Sequence, residues 1–336
     1  MAVVRDVMPG FDLFQPATIE AALELLARYG PEAWVLAGGL DSLEWFKDRI
    51  KRPRIVVDLS QVKELCVIRE VDGGLEIGAM TTLTEVVHHP VVSERFSLLS
   101  RAAEAAASPQ IRNQGTIGGN VSQDTRCWYY RNGWTCYRAG GNMCYADTPT
   151  GMNREHAIFD ADRCVAVNPS DSAPALVALE ARMVIRNARG TREVKAEDYF
   201  IGPGYDITRM TVLGPGDLLT AIRIPATWAG AHFYFEKVRD RQVWDFPLVN
   251  IASAAVFSGD RIDRMRLVVN GVAAHPVRLT RVEDAVRGKS RDEATTEMAG
   301  KLAISGAEPL QHNDYKVTLV RNLVKRAIRG KEEPWA

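Results

Sequence analysis

Four of the chain's five cysteines lie close together in a segment that shows no regular secondary-structure pattern. They are Cys127, Cys136, Cys144 and Cys164, and the fifth is Cys66. The surrounding segment, residues 121–168, has neither helical nor strand periodicity, but it is rich in Trp and Tyr, which argues against disorder. A long irregular segment inside a folded chain is usually functional. We therefore predict that residues 121–168 are an insertion folded around a bound group.

The length and net charge of the chain limit the number of domains and the kinds of partner that it can have. The chain has 336 residues, enough for two or three domains. Lys+Arg and Asp+Glu both number 42, so the formal net charge is zero and a nucleic-acid partner is not expected. Residues 1–9 lack the apolar core of a secretory signal, and no run reaches the roughly 18 apolar residues of a membrane span. A cytoplasmic protein without a membrane span is predicted.

The patterning changes twice along the chain, which predicts three parts: residues 1–60, 61–227 and 228–336. The first has a βαβ-like pattern, with Thr18 capping a helix that ends at Gly30. The second has a hairpin, a capping box at Thr82-Leu-Thr-Glu85, short helices and the cysteine-rich insertion. The third follows a Pro225–Gly230 link and has the pattern of a small α+β domain.

Two paired-glycine segments are candidate ligand-binding turns. Ala37-Gly-Gly-Leu-Asp41 follows a short apolar strand, and Thr116-Ile-Gly-Gly-Asn120 belongs to a segment predicted as strand and turn. Paired glycines allow the backbone to approach a ligand, with N–H groups directed at phosphate oxygens. Neither segment is a GxGxxG fingerprint, so a Rossmann site is not supported. Each segment alone is more often an ordinary tight turn.

Further motifs follow the glycine segments in a fixed order. They are Pro169-Ser-Asp171, Gly216-Asp-Leu-Leu219, Ile224-Pro225, Glu236-Lys237 and Asp245. The whole series resembles the FAD-binding medium subunit of the xanthine dehydrogenase and carbon monoxide dehydrogenase family. The resemblance covers nearly the entire chain, and its specificity lies in the set of motifs.

This resemblance implies an α+β fold: a two-subdomain FAD-binding region of the vanillyl-alcohol-oxidase type, followed by a small α+β C-terminal domain. It implies that the FAD pyrophosphate is wrapped by Ala37, Gly38, Gly39, Leu40, Asp41, Thr116, Gly118, Gly119 and Asn120. Ser122 and Asp171 match positions near the flavin and ribityl chain, and Leu219 and Lys237 match positions near the isoalloxazine ring. The family usually has a small polar residue where this chain has Leu40, so one phosphate hydrogen bond is expected to be missing.

Two of these residues have an alternative interpretation. Asp171 follows Pro-Ser and precedes a predicted helix, so its side chain could be an N-cap instead of a cofactor contact. Lys237 could be a surface lysine on a strand.

The cysteine-rich segment looks like the insertion of the 4-hydroxybenzoyl-CoA reductase branch and of some bacterial aldehyde oxidoreductases. There the inserted cysteines bind a [4Fe–4S] cluster, which requires four thiolates. Zinc is the competing metal, but four-cysteine zinc sites usually contain close CxxC pairs, which are missing here. Uncommitted cysteines are the third possibility. Cys66 is predicted to be a buried core residue, and His156 is expected to be structural.

The function implied is an electron-transfer oxidoreductase subunit of a heterotrimer, without catalytic acid–base residues of its own. A large partner would hold the molybdenum cofactor and a small partner two [2Fe–2S] clusters. Aldehyde oxidation is slightly favoured, and a subunit like that of 4-hydroxybenzoyl-CoA reductase is the alternative. Two alternative functions belong to other classes of protein. They are a stand-alone flavin oxidase and a non-enzymatic scaffold held together by zinc.

Overall fold

The computed structural model describes residues 8–330, and the first and last few residues of the chain lie outside the described residues. It contains three separate sheets, which follow one another along the sequence. The predicted absence of a signal concerned residues 1–9, most of which lie outside the described range. Within residues 8–330, no helix is long and apolar enough to cross a membrane.

The first part is a three-stranded parallel sheet, and one helix connects each strand to the next in the sequence. Its elements are β1 (Asp12–Phe14), α1 (Ile19–Tyr29), β2 (Ala33–Leu36), α2 (Ser42–Lys47) and β3 (Ile55–Asp58). β3 lies between β1 and β2 and is parallel to both. The Thr18 side chain accepts from the backbone N–H of Ala21, so it caps α1 as predicted. The β2–α2–β3 unit positions the first glycine segment at the carboxyl end of β2.

The second part is a five-stranded antiparallel sheet with several short helices. Its strands are β4 (Ile68–Val71), β5 (Gly74–Gly78), β6 (Arg182–Asn187), β7 (Gly190–Lys195) and β8 (Leu218–Ile224), in the order β4-β5-β8-β6-β7. Its helices are α3 (Leu83–His88), α4 (Pro90–Arg95), α5 (Ser97–Glu104), α6 (Pro109–Gln114), α7 (Ile117–Ser122), α8 (Trp128–Arg131), α9 (Ser172–Ala178) and α10 (Ala196–Tyr199). The capping box predicted at Thr82 is present at the start of α3.

The third part is a four-stranded antiparallel sheet covered by helices. It consists of β9 (His232–Val238), β10 (Val249–Ser258), β11 (Arg261–Asn270), β12 (Val277–Arg278), α11 (Thr280–Val286), α12 (Glu293–Ala303) and α13 (Tyr315–Arg329). α9 packs against β10 and β11, and one hydrophobic core runs from Leu176 and Ile222 to Ala252 and Val268. The second and third parts are therefore joined by a shared core.

Two local predictions were wrong. The segment predicted as strand and turn before Asn120 is helical, forming α6 and α7, because Ser108 and Thr116 each cap a short helix with their side chains. Cys66 is exposed instead of buried, since it lies after a 3-10 turn outside the hairpin strand. The strand β7 and the helix α12 were not predicted.

The cysteine-rich insertion is held between the first and third parts. Tyr130 and Cys136 pack with Trp45, Phe46 and Val56 of the first part. At its other end, Ile158 and Phe159 enter the core of the C-terminal part. The only regular structure within residues 123–168 is α8 and one 3-10 turn at Tyr137–Ala139, as expected for an irregular insertion.

The C-terminal part also binds the backbone of the insertion through a buried lysine. Lys316 Nζ donates to the carbonyl oxygens of Glu155 (2.9 Å) and Gly271 (2.7 Å). Burial lowers the pKa of Lys316 to about 7. The insertion is therefore anchored through main-chain groups as well as through apolar contacts.

Candidate functional site

A large cavity of about 620 Å³ lies where the first part meets the second. Most of the residues predicted to bind a cofactor line it: Ala37, Gly38, Gly39, Leu40, Asp41, Thr116, Gly119, Asn120, Ser122 and Asp171. Residues that are distant in sequence are thus brought to one site. Its size is that of a small-molecule or cofactor site, roughly 300–1,000 Å³.

The first glycine segment packs against the chain that leads into the second because Gly38 has no side chain. A Cβ atom at Gly38 would lie 2.2 Å from the carbonyl oxygen of Gln114 and 3.2 Å from Gly115 Cα. A Cβ atom at Gly119 would lie 3.7 Å from Ala37 Cβ. Gly39 has a φ of +80°, which favours glycine. The backbone of the first segment therefore packs directly onto the chain leading into the second.

The backbone amides at the start of α7 are largely occupied by the protein itself. The N–H of Ile117 donates to Thr81 O, that of Gly118 to Ala79 O, and that of Gly119 to Thr116 Oγ1. These amides are not free for phosphate oxygens, unlike the role that the paired-glycine pattern suggested. The second segment instead lines the cavity with the side chains of Thr116 and Asn120 and with the backbone of Gly119.

The Asp41 carboxylate accepts hydrogen bonds from four residues. One of its carboxylate oxygens accepts from Arg126 and Arg131, and the other accepts from the Trp45 indole (3.1 Å) and the Asp124 N–H (3.1 Å). The first glycine segment is thereby tied to the start of the cysteine-rich insertion.

Asp171 lies deep in the cavity wall and forms a buried ion pair. Lys237 Nζ donates to its Oδ2 (2.6 Å) and to Ala105 O (3.0 Å), and Asn250 Nδ2 donates to its Oδ1 (3.0 Å). Burial raises the pKa of Asp171, while Lys237 and Asn250 oppose that rise. Asp171 makes no capping hydrogen bond to α9. The hydroxyl of Ser170 accepts from the Ala173 N–H in its place.

Three of the predicted cofactor residues do not line the cavity. Gly118 packs against Ala79, where a Cβ atom would lie 2.6 Å from the carbonyl oxygen. Leu219 is buried in the core of the second part. Lys237 lies behind Asp171, and its side chain is 2% exposed, so it is not a surface lysine.

The cavity also has walls that sequence reasoning missed. They are the irregular segment at residues 208–215, the loop Trp244–Phe246, and Arg138. Trp244 and Ala107 both have positive φ, and the Trp244 N–H donates to Ala107 O (2.8 Å). Asp245 was the only sequence signal for this loop, since it belonged to the motif series.

Replacing Lys237 by Met should destabilise the protein by about 3–5 kcal/mol, because the Asp171 carboxylate would be left buried without its cation. Chemical unfolding would measure the free energy of unfolding. The double variant Lys237→Met with Asp171→Asn should recover part of the loss, since no buried charge then remains. A single variant that unfolds like the wild type would show that the pair contributes nothing.

The four clustered cysteines line a second, smaller cavity. Cys127, Cys136, Cys144 and Cys164 surround it together with Tyr129, Tyr130, Tyr137 and Tyr145. The free space is small, about 10 Å³, and Cys144 and Cys164 both lie outside the helices and strands. His156 Nε2 lies 3.3 Å from Cys127 Sγ.

The cysteine side chains are not gathered into a metal-ligand arrangement in this structure. Within residues 8–330, no three His, Cys, Asp or Glu side chains are placed to hold one ion. Burial raises the pKa of the Cys127 thiol to about 12 and also raises that of Cys164. The charge of Arg138 opposes the rise in the pKa of Cys164 without cancelling it, so metal binding would have to displace the protons of both thiols.

Comparison with known proteins identifies the fold. Residues 9–227 match the FAD binding domain in molybdopterin dehydrogenase, and residues 233–330 match the CO dehydrogenase flavoprotein C-terminal domain. The chain is 34% identical to the aldehyde oxidoreductase FAD-binding subunit PaoB of Escherichia coli, over 92% of this chain and 94% of that protein. It is 28% identical to the carbon monoxide dehydrogenase medium chain of Hydrogenophaga pseudoflava, over 96% and 98%.

Solved structures agree with these matches. A carbon monoxide dehydrogenase chain from Hydrogenophaga pseudoflava superimposes with a TM-score of 0.76 at 28% identity, over 95% of this chain and 96% of that one. A chain of quinoline 2-oxidoreductase from Pseudomonas putida 86 gives 0.75 at 26% identity, over 96% of each. The fold class predicted from the sequence is confirmed. The chain belongs to the family of FAD-binding medium subunits of molybdopterin-dependent dehydrogenases, and it is an oxidoreductase subunit that binds FAD.

Proposed function

We propose that this chain is the electron-transfer subunit of a heterotrimeric, cytoplasmic aldehyde-oxidising molybdenum hydroxylase, and that it carries a [4Fe–4S] cluster beside its FAD. The observation that carries the proposal is the convergence of all four insertion cysteines on one cavity. The 34% identity to an aldehyde oxidoreductase subunit supports the choice of substrate class.

We assign FAD to the 620 Å³ cavity. The two glycine segments meet there, and Gly38, Gly39 and Gly119 in the lining let a flat cofactor approach the backbone closely. Ala37–Asp41 and the side chains of Thr116 and Asn120 would bind the pyrophosphate end, and Gly119 would leave space for it, with Ser122 and Asp171 further along. Three predicted residues lie behind the cavity lining and would influence the cofactor without contacting it: Lys237, Gly118 and Leu219. When bound, FAD exchanges either one or two electrons, which suits a relay between single-electron clusters and a two-electron acceptor.

We assign the cluster to Cys127, Cys136, Cys144 and Cys164. Four thiolates are the ligand set of a [4Fe–4S] cluster. Four-cysteine zinc sites usually contain close CxxC pairs. The four insertion cysteines include no such pair, which favours an iron–sulfur cluster over zinc. The surrounding tyrosines would limit solvent access.

The partner subunits are assigned from the relatives. The chain matches subunits described as medium chains of carbon monoxide dehydrogenases over nearly their full length. A large subunit with the molybdenum cofactor and a small subunit with two [2Fe–2S] clusters would complete the enzyme. Substrate would then bind on the large subunit.

The first test is the iron and flavin content of the full chain, purified anaerobically without partners. We expect about four iron atoms per FAD, the count of one [4Fe–4S] cluster. Flavin with zinc or with no metal would contradict the cluster assignment and leave the FAD assignment intact. Iron without flavin would contradict the cavity assignment.

The substrate class requires the assembled enzyme. Electron transfer to an artificial acceptor should be seen with aromatic or aliphatic aldehydes, and not with N-heterocycles. Reduction of an aromatic CoA thioester, without aldehyde oxidation, would favour the alternative like 4-hydroxybenzoyl-CoA reductase.

A further inference from the structure

Arg138 lies between the two candidate cofactor cavities. Among the residues that the structure describes, it alone lines both the large cavity and the four-cysteine cavity. It is buried, at 7% exposure, and stands two residues after Cys136 in the 3-10 turn at Tyr137–Ala139. A cation in this position can act on groups bound on either side, because charges interact more strongly away from water.

The contacts of Arg138 leave part of its guanidinium uncommitted. One nitrogen forms an ion pair with Asp124, and another donates to Ile207 O (2.8 Å). The guanidinium carbon lies 5.4 Å from the centre of the Tyr130 ring. The remaining nitrogen, Nε, is buried and has no hydrogen-bond partner. Buried hydrogen-bond donors are rarely left without a partner, so an unpaired one is a candidate for contact with a bound group.

Asp124 does not cancel the positive charge of this region. Its carboxylate also lies 3.7 Å from Lys51 Nζ, so one anion serves two cations. Its backbone N–H donates to Asp41 Oδ2 (3.1 Å), which connects it to the first glycine segment. The chain Asp41–Asp124–Arg138 thus joins the wall of the flavin cavity to the cysteine loop, with excess positive charge at Arg138 and Lys51.

We propose that the buried charge of Arg138, which lies between the two cofactor sites, raises the reduction potential of both cofactors. Reduction adds negative charge to an iron–sulfur cluster and to a flavin, and a nearby cation stabilises that charge. The cluster half of this inference rests on the proposed function. The flavin half rests only on the FAD-binding family and on Arg138 lining the large cavity.

The test compares Arg138→Met, Arg138→Lys and a matched control, Arg154→Met, in the full anaerobic chain. Arg154 is in the same insertion and pairs with Asp240, but its side chain is 48% exposed and lines neither cavity. Iron and FAD content are measured first. Midpoint potentials are then measured by redox titration, with EPR for the cluster and visible absorbance for the flavin.

In Arg138→Met we expect both reduction equilibria to weaken about tenfold or more. That is about 59 mV for a one-electron couple and about 30 mV for a two-electron couple. Arg138→Lys, which keeps the charge, should recover most of both shifts, and Arg154→Met should change neither.

Other outcomes overturn the inference. Unchanged potentials in Arg138→Met would show that the cation does not act on either group. Loss of both cofactors from the Met and Lys variants alike would make Arg138 a purely structural clamp. If the wild type itself holds flavin but no iron, the proposed cluster fails, and the flavin shift alone then decides the role of Arg138.

Discussion

Gly38→Ala should lower the affinity for FAD by roughly a hundredfold, which corresponds to about 3 kcal/mol. The added methyl group would lie 2.2 Å from the backbone carbonyl oxygen of Gln114, far inside contact distance. A backbone carbonyl cannot rotate away as the end of a side chain can. The first glycine segment would therefore have to move off the chain leading to Thr116, which would open the cavity wall on which the pyrophosphate is expected to lie. Flavin content after purification and a fluorescence titration with FAD would measure the effect.

Gly204→Ala is the matched control for this prediction. It makes the same chemical change at a glycine without a positive φ, where the nearest atom to the new methyl group is Asp162 Oδ2 at 3.9 Å. Its flavin content should equal that of the wild type. Equal FAD affinity in Gly38→Ala and the wild type would mean that the two glycine segments do not form the binding wall.

Cys136→Ser should reduce the iron content from about four atoms per chain to less than one. Iron–sulfur clusters are held by cysteine thiolates, and a buried serine hydroxyl is a poor substitute. Cys136 is buried against Trp45, Phe46 and Tyr130, so neither water nor a neighbouring thiol can easily replace the lost ligand. Iron analysis and the EPR signal of the reduced chain would measure the loss.

The control for the cysteine variant is Cys66→Ser. Cys66 is exposed and does not line the four-cysteine cavity, so iron should be retained. Retention of full iron by Cys136→Ser would contradict the ligand assignment. The flavin content of Cys136→Ser also separates two roles of the cluster. Flavin retained with altered reoxidation would indicate a redox role, and flavin lost with the iron would indicate a structural one.

Several local features could be predicted from the sequence because they depend on short-range interactions. The cap at Thr18, the capping box at Thr82 and the strand Leu218–Ile224 each follow from residues close together in the chain. The second glycine segment was assigned wrongly because glycines disfavour helix interiors. The Thr116 cap and packing of Gly118 on Ala79 outweigh that preference here.

In the candidate site, too, some features could be predicted from the sequence and others could not. Motif order identified the family, and ten of the thirteen residues predicted to bind a cofactor line the cavity, Asp171 among them. The roles of individual charged residues could not be inferred in that way. Asp41 is held by two arginines from the insertion, and Lys237 pairs with Asp171 from a strand in another part of the chain. Such pairs join positions that only the folded chain brings together.

The sequence by itself determined the family, the FAD-binding function and the existence of an unusual cysteine-rich insertion, because each is encoded in contiguous motifs or in composition. Only the tertiary structure decided that the four cysteines share a cavity and that Arg138 separates this cavity from the large one. It also decided that the α7 amides are already bonded within the protein. The physical reason is that cavities and buried charges depend on contacts between distant segments, and these contacts are fixed by packing of the whole chain.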